Sequence, residues 1–388
     1  MKLRFSWIAI VTFAGFWGSA SVHAYPQFIA HGYPSCLNCH YNPMGNGPLT
    51  DYGRTVGATG ISSRMLYPSN WSEEKIGSLS GFLFRPPKQD HIRTQANFRG
   101  MQMVQSFGSP NSKSSWITMQ AGGQLVLKFL TDDRLTLVGE LGYNPGSTQS
   151  RVSGQSDKNF RSREHYLGYR FNPEFGIYAG FMDKAYGLRV SEHIAFSRVF
   201  TDNAQNDQTH GVMLHGIKNG FEGSIHGFVG SLFQSSDLRQ KGVSFQIERD
   251  VGEHRVGVSG LRSSNNYVGI TSYAAHSRIN FNDGSALMFE IGQVHRKADS
   301  GVGGRISRYG LLQTFSKATQ GLYLIANIDY GKSDLSLDQS LLRWGPGVQW
   351  FPIQKLELRA DLFNSRVFNV NSTTQDSWML LLQTHVWL

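Results

Sequence analysis

Both cysteines of the chain fall in one short stretch, Cys36-Leu37-Asn38-Cys39-His40. Two thiols separated by two residues and followed at once by an imidazole match the attachment site of a c-type haem. There the thiols add to the vinyl groups and the adjacent His coordinates iron from one face. The two-residue gap sets the distance between the thiols, and His40 is close enough to swing beneath the ring. Three other chemistries compete for this pattern. A thioredoxin-like redox pair requires a βαβ context, which the flanking sequence does not have. A zinc site requires a fourth ligand. A structural disulfide across two residues would be strained. The expectation is therefore one covalent haem c, with Cys36 and Cys39 as anchors and His40 as the proximal ligand.

The second axial ligand has several candidates. Met44 follows closely after His40, but a chain that short spans at most ~14 Å and would have to travel round the macrocycle edge. Met44 therefore reads as a packing residue. Met65, much further along the chain, has a comfortable loop and would give His/Met ligation. His31 precedes Cys36 and can fold back over the distal face, and His91 can act from the start of the first strand. The order is Met65, His31, His91, with an open sixth position as the remaining alternative. A further polar stretch, Tyr186 to Arg198, contains Arg189, Glu192, His193 and Arg198 without clean alternation. Folded inward, these side chains could constrict a lumen, pair with haem propionates or hold a metal ion. The plain alternative is a solvated outer loop.

The elements that must position these residues begin with an export signal. Lys2 and Arg4 precede the apolar run Ile8 to Trp17, and Val22-His23-Ala24 supplies a cleavage pattern, so residues 1–24 read as a signal peptide. The run is shorter than the ~20 residues of a spanning helix. Export agrees with haem attachment, which in bacteria follows translocation. The net charge of +9 falls to +7 without Lys2 and Arg4, and no block of Lys and Arg points to nucleic acid. Hydrophobic residues at 40% and aromatics along the whole chain exclude disorder. A mean hydropathy below zero excludes a helical membrane bundle.

Residues 25–78 are dense in Gly, Pro, Asn and Tyr and show no sustained period, so a small, irregular or helical haem segment is expected there. It has too few aliphatic side chains to fold alone, and a cofactor or docking onto the remainder must supply its core. Residues 79–388 alternate instead. In Leu356-Glu357-Leu358-Arg359-Ala360-Asp361-Leu362 every even residue is apolar and every odd one charged. Turn signals such as Lys218-Asn219-Gly220 separate such runs. The pattern predicts about sixteen strands, at roughly 92–107, 115–130, 133–144, 160–171, 174–183, 207–218, 220–231, 238–249, 253–263, 266–280, 284–297, 305–317, 319–332, 339–351, 354–368 and 376–388. Strands of this length, with short turns, a few longer polar loops and aromatics near their ends, predict an all-β, outer-membrane antiparallel barrel rather than a soluble sandwich. The terminal strand runs to the last residue, ending in Leu388 after Trp387 where such barrels usually end in an aromatic.

Tyr25-Pro26-Gln27-Phe28, the Cys36–His40 motif and Asp51-Tyr52-Gly53-Arg54 together resemble the N-terminal monohaem segment of the fused cytochrome-porins, which include outer-membrane iron oxidases. Tyr41-Asn42-Pro43-Met44-Gly45-Asn46-Gly47 is richer in Gly than the iron oxidases. The resemblance implies bacterial outer-membrane localisation, contact with outer-membrane lipid, and electron transfer between a periplasmic carrier such as a soluble cytochrome and an extracellular donor or acceptor. Ferrous iron is the donor it suggests, which would make the chain an oxidoreductase as well as a carrier. A diffusion porin whose haem segment gates or senses, and a soluble cytochrome joined to a sandwich, are the competing expectations.

Overall fold

The structure, a computed structural model, describes residue 29 and residues 35–86, 91–130, 133–143, 160–190, 192, 194–204, 207–281, 283–298, 304–369 and 375–388. The expected signal peptide, His31 and His193 lie outside the described residues.

Sixteen strands run in order: β1 Ile92–Gln105, β2 Lys113–Phe129, β3 Leu135–Tyr143, β4 Phe160–Asn172, β5 Phe175–Met182, β6 Thr209–Lys218, β7 Phe221–Phe228 and β8 Lys241–Val251, then β9 His254–Ser264, β10 Val268–Phe281, β11 Ser285–Ala298, β12 Arg305–Thr319, β13 Leu322–Lys332, β14 Gln339–Ile353, β15 Leu356–Asn369 and β16 Gln375–Trp387. Each pairs antiparallel with its sequence neighbours, and β1 pairs with β16, so the sheet closes into a barrel without an edge. Every expected strand is present, its bounds close to those of the alternation. Closure reaches the chain end, because the Leu388 N–H donates to the Ala96 carbonyl (2.8 Å) and the Ala96 N–H to that of Leu388 (3.1 Å).

Alternation decides which side chains face the lumen. Along β8, Val243, Phe245 and Ile247 stand exposed while Ser244, Gln246 and Glu248 are buried. Along β15, Glu357, Arg359 and Asp361 are buried, as their charge requires, and the apolar residues between them turn outward. The outer wall is thus an apolar belt, with Phe129, Phe171, Phe175 and Phe221 exposed near one end and Tyr143, Phe160 and Trp344 near the other. Among the described residues no helix is long and apolar enough to cross a membrane.

Seven short connections, the first of them β2–β3, define one end of the barrel. A two-residue Asn219-Gly220 turn with both φ positive (52° and 74°) is the tight hairpin type that matches strand twist. The connections at the other end are mostly longer, and the longest, residues 183–208, folds into the lumen.

Residues 35–86 fill the short-turn end of the barrel. Their regular pieces are short: a 3₁₀ turn Cys36–Asn38, α1 Asp51–Val56, a π turn Gly57–Ile61, α2 Glu73–Gly77 and a 3₁₀ turn Phe82–Phe84. The first strand begins at Ile92, and residues 79–86 before it touch both the segment and the barrel. Ser80 Oγ lies 3.3 Å from Thr55 Oγ1, and Lys355 Nζ donates to the Gly81 carbonyl. As its composition requires, the segment shares its core with the barrel. Leu37, Tyr41 and Met44 pack on Val126, Val138 and Tyr166, and Cys39 and Ile61 pack on Tyr323 and Phe351.

Candidate cofactor site in the barrel lumen

The Cys36–Asn38 turn makes the motif compact. The N–H groups of Cys39 and His40 both donate to the Cys36 carbonyl, at 3.1 and 2.9 Å, so two thiols and an imidazole leave one turn of backbone. The chain then loops through Asn42 to Pro48 and returns beside itself, with His40 bridged to Leu49 and the Tyr41 N–H bonded to the Pro48 carbonyl (3.3 Å). Gly45 at the loop tip has φ +78°, and a Cβ there would lie 2.8 Å from Cys36 Sγ, so the backbone approaches the thiol as only glycine permits. Thr50 caps α1 by accepting from the Gly53 N–H (3.1 Å), and the Thr50 N–H holds the Cys39 carbonyl (2.8 Å).

Lumen side chains of the wall fix this loop in place. Asn42 Nδ2 donates to Glu164 Oε1 (2.7 Å), and Ser35 Oγ donates to Glu222 Oε1 (2.9 Å). Arg93 Nε grips both carboxylate oxygens of Asp51, at 2.8 Å each. The motif faces an open cavity with Cys36, His40, Met44, Arg54, Arg198 and Met288 among its walls.

The thiols are free, and burial pushes both up to about 12. That is the reverse of the lowered thiol of a redox pair. Among the described residues no three His, Cys, Asp or Glu side chains converge as a metal-binding group. His40 is buried with neither ring nitrogen hydrogen-bonded. Burial lowers it to about 4, against the pull of the nearby Gly47 and Asn46 backbone, so it is a neutral imidazole. A buried, neutral imidazole without partners has a lone pair available to a metal. Two free thiols on one turn, this imidazole and a cavity beside them fit a c-type haem, which the Cys36 and Cys39 sulfurs and a His40 nitrogen would hold.

The structure does not bring Met65 to the cavity. Beyond the π turn the Ser63 N–H donates to the Phe351 carbonyl (2.8 Å) and the chain turns outward, leaving the Met65 side chain 72% exposed. His91 is exposed at the barrel rim, where its carbonyl accepts from the Lys128 N–H (2.7 Å). Met44 packs against the wall while bordering the cavity, and Met288 and His385 line it from the barrel. No pattern in β11 or β16 singled these last two out, because each is one lumen residue among many.

The 183–208 loop is lumenal, not a solvated outer loop. Leu188, Val190 and Ala195 pack with Ile29 and the wall residues Met288 and Phe315. The Gly187 N–H donates to Ser259 Oγ (3.1 Å), the Leu188 N–H to Glu290, and the Phe196 N–H to Asp329 Oδ1 (3.3 Å) at the start of α3, Phe196–Thr201. Arg189 pairs with Asp183 (2.6 Å) and Glu192 with Arg359. Burial opposes ionisation of Glu192, but the Arg359 guanidinium outweighs it and holds the carboxyl below its usual range. Arg189 and Arg198 line the cavity that Cys36 and His40 line, together with Lys184, which sequence reasoning missed by starting this loop at Tyr186.

The chain matches no family model, and no curated protein is similar to it in sequence. Solved structures share its fold. A loop L8 deletion mutant of OmpT, an outer membrane protein of Vibrio cholerae, superposes with a TM-score of 0.61 at 10% identity, over 76% of this chain and 99% of the other. An anion-selective porin from Comamonas acidovorans has a TM-score of 0.59 at 10% identity, over 76% and 99%. The outer membrane channel DcaP of Acinetobacter baumannii has 0.57 at 11%, over 76% and 97%. At such identities the likeness is one of fold, and the fold of this chain is the sixteen-stranded antiparallel barrel of outer-membrane proteins.

Proposed function

We propose that this chain is an outer-membrane cytochrome-porin that transfers electrons across the outer membrane through one covalently bound haem. The observation that carries the reading is the turn Cys36–His40, which sets the free Cys36 thiol and an unbonded, buried imidazole on a cavity inside a closed barrel, with the free Cys39 thiol buried on the same turn. Haem, when bound, supplies one-electron exchange. Cys36 and Cys39 anchor it, His40 ligates it, and the segment 35–86 excludes bulk water from one side while the lumen loop does so from the other. The apolar belt of the barrel meets outer-membrane lipid. The short-turn end, which holds the haem segment, faces the periplasm, as short turns do in such barrels, and receives a soluble carrier. The extracellular partner, for which the resemblance suggests ferrous iron, exchanges electrons from the long-loop side.

A diffusion porin carrying a haem-bearing plug is the second reading. It is favoured by the fold shared with porins, one of them anion-selective, and by seven Lys and Arg against three Glu around the cavity.

Two measurements decide. The purified full-length chain, run on a denaturing gel, should keep haem peroxidase activity, and Cys39→Ser should lose it; a wild-type band without colour would remove the electron-transfer reading. Vesicles carrying the protein and an enclosed soluble cytochrome should reduce that cytochrome when ferrous iron is added outside, while passing little small solute. Rapid solute flux without electron transfer would favour the diffusion porin.

A further inference from the structure

We propose that Lys184 and Arg198, on the lumen loop between β5 and β6, receive the two propionate carboxylates of the haem held at Cys36, Cys39 and His40. The proposal rests on the haem reading above and adds the residues that orient the group. Both side chains line the same cavity as Cys36 and His40, and both are more than nine-tenths buried. Burying a cation is costly unless an anion accompanies it.

Arg54, on the segment 35–86, and Arg99 and Lys355, on the barrel wall, also line the cavity without an ion pair among the described residues, and they rest on the Thr94 carbonyl, His385 and the Gly81 carbonyl. Three further lumen cations have their anions. Arg189 pairs with Asp183, Arg359 with Glu192 and Asp361, and Arg278 with Glu248. Lys184 and Arg198 differ from those three and stand together on the lumen loop between β5 and β6. Lys184 Nζ donates to the Asp202 carbonyl (2.7 Å) and to Asn203 Oδ1 (3.4 Å), both neutral acceptors, while the Asp202 carboxylate is taken by Arg296 (2.8 Å). Arg198 spends Nη1 on the Val190 carbonyl (2.6 Å) and Nε on that of Asn203 (3.2 Å), and its Nη2 is buried without a partner. Among the described residues neither forms an ion pair with a carboxylate. Asp183 and Asp207 attract both cations from beyond contact, as Asp202 does Lys184 and Glu192 does Arg198, but burial outweighs that attraction. Burial, with Arg189 beside it, lowers Arg198 to about 9, and burial lowers Lys184 too, as expected where positive charge is uncompensated.

Two buried cations on one loop, with no carboxylate in contact and facing one cavity, call for a dianion or two carboxylates. A haem anchored by its vinyl edge extends two carboxylates from the opposite edge. Their counter-charges must therefore come from an element other than the thiol-bearing turn, and this loop is such an element. Arg198 offers a directed N–H and Lys184 a point charge.

The same chemistry would suit a small permeating carboxylate, so the experiment separates the two sources. Full-length wild type, Arg198→Gln, Lys184→Gln, the double variant and Arg198→Lys are purified, and those that keep heat-modifiable migration are compared. The haem midpoint potential is titrated from pH 5 to 9, and the reversal potential is read in bilayers under a salt gradient. Removing one cation beside the haem should lower its reduction equilibrium constant about tenfold, about 59 mV for one electron. Arg198→Lys should restore most of that loss, and the double variant should gain a pH dependence between 5 and 7 as its propionates take up protons. Haem-bearing variants with the wild-type potential and pH profile would overturn the proposal while leaving the haem reading intact. A wild type without covalent haem would end both. A change confined to anion selectivity, with haem unaltered, would assign the two cations to a permeating solute and overturn the proposal as well.

Discussion

The barrel and the segment inside it are held together by opposite means. Each strand of the barrel satisfies its backbone groups on two neighbours, and its side chains need only alternate between lipid-like and wet faces. The segment 35–86 has helices of six and five residues, too short to be stable by themselves, and depends on side chains that reach across to the wall. Asn42 on Glu164, Ser35 on Glu222, Asp51 on Arg93, and the Thr59 and Ser62 carbonyls on Gln320 all join the two regions. At the turn after β12, Gly321 (φ +85°) lies so close to Ser63 that a Cβ would come within 2.4 Å of the Ser63 nitrogen. A regular scaffold thus tolerates variation wherever the alternation survives, whereas an irregular insert depends on particular contacts, and the candidate site lies on the insert.

The largest test of this contrast separates the two regions. Residues 91–388 alone should fold in detergent with heat-modifiable migration and conduct several times more solute than the full chain. Residues 25–86 alone should show no cooperative unfolding transition; a cooperative melt of the isolated segment would break the comparison.

Removing one partner of the buried pair that ties the lumen loop to β15 comes next. Glu192→Gln should cost about 3–5 kcal/mol, read by urea unfolding in lipid vesicles. The same pair sets a pH dependence. The Glu192 carboxyl is depressed in the folded state, so its contribution is complete above the ordinary Glu value of ~4.3 and fades as pH falls through the lower folded value. Protease access to the loop should therefore rise below about pH 4 in the wild type and be independent of pH there in Glu192→Gln.

Within the barrel, depth along one lipid-facing row should matter. Leu362 and Leu358 point the same way from β15, but Leu362 lies near mid-strand and Leu358 near the short-turn rim. Arg at Leu362 should cost about 2–4 kcal/mol and at Leu358 about 0–1 kcal/mol, by the same unfolding measurement. Equal costs would place the apolar belt elsewhere.

The smallest effects belong to local backbone in the insert. Gly45→Ala forces a left-handed residue against Cys36. That should cost about 1–2 kcal/mol and lower the yield of covalent haem, read at constant barrel yield. Thr50→Ala removes the α1 cap for about 1 kcal/mol and should leave attachment unchanged.

How much of this was legible in the chain follows from the range of the interactions. Strand positions, the lumen side of Glu357, Arg359 and Asp361, and the membership of the Cys36–His40 motif depend on residues close together in the chain, so the sequence alone determined them. It also determined that residues 25–78 are too poor in apolar side chains for a core of their own, because apolar content is a local count. Where Met65 points could not be read that way, since a bond from Ser63 to Phe351, far along the chain, turns the backbone outward there. Nor could the companions of His40: Met288 and His385 reach the cavity only because closing β1 on β16 brings distant lumen rows together. Whether Lys184 and Arg198 meet a carboxylate, beside an Arg189 and a Glu192 that are paired, was decided by tertiary structure as well. Charge on a residue is a property of its type, but the presence of a counter-ion depends on which strands surround it.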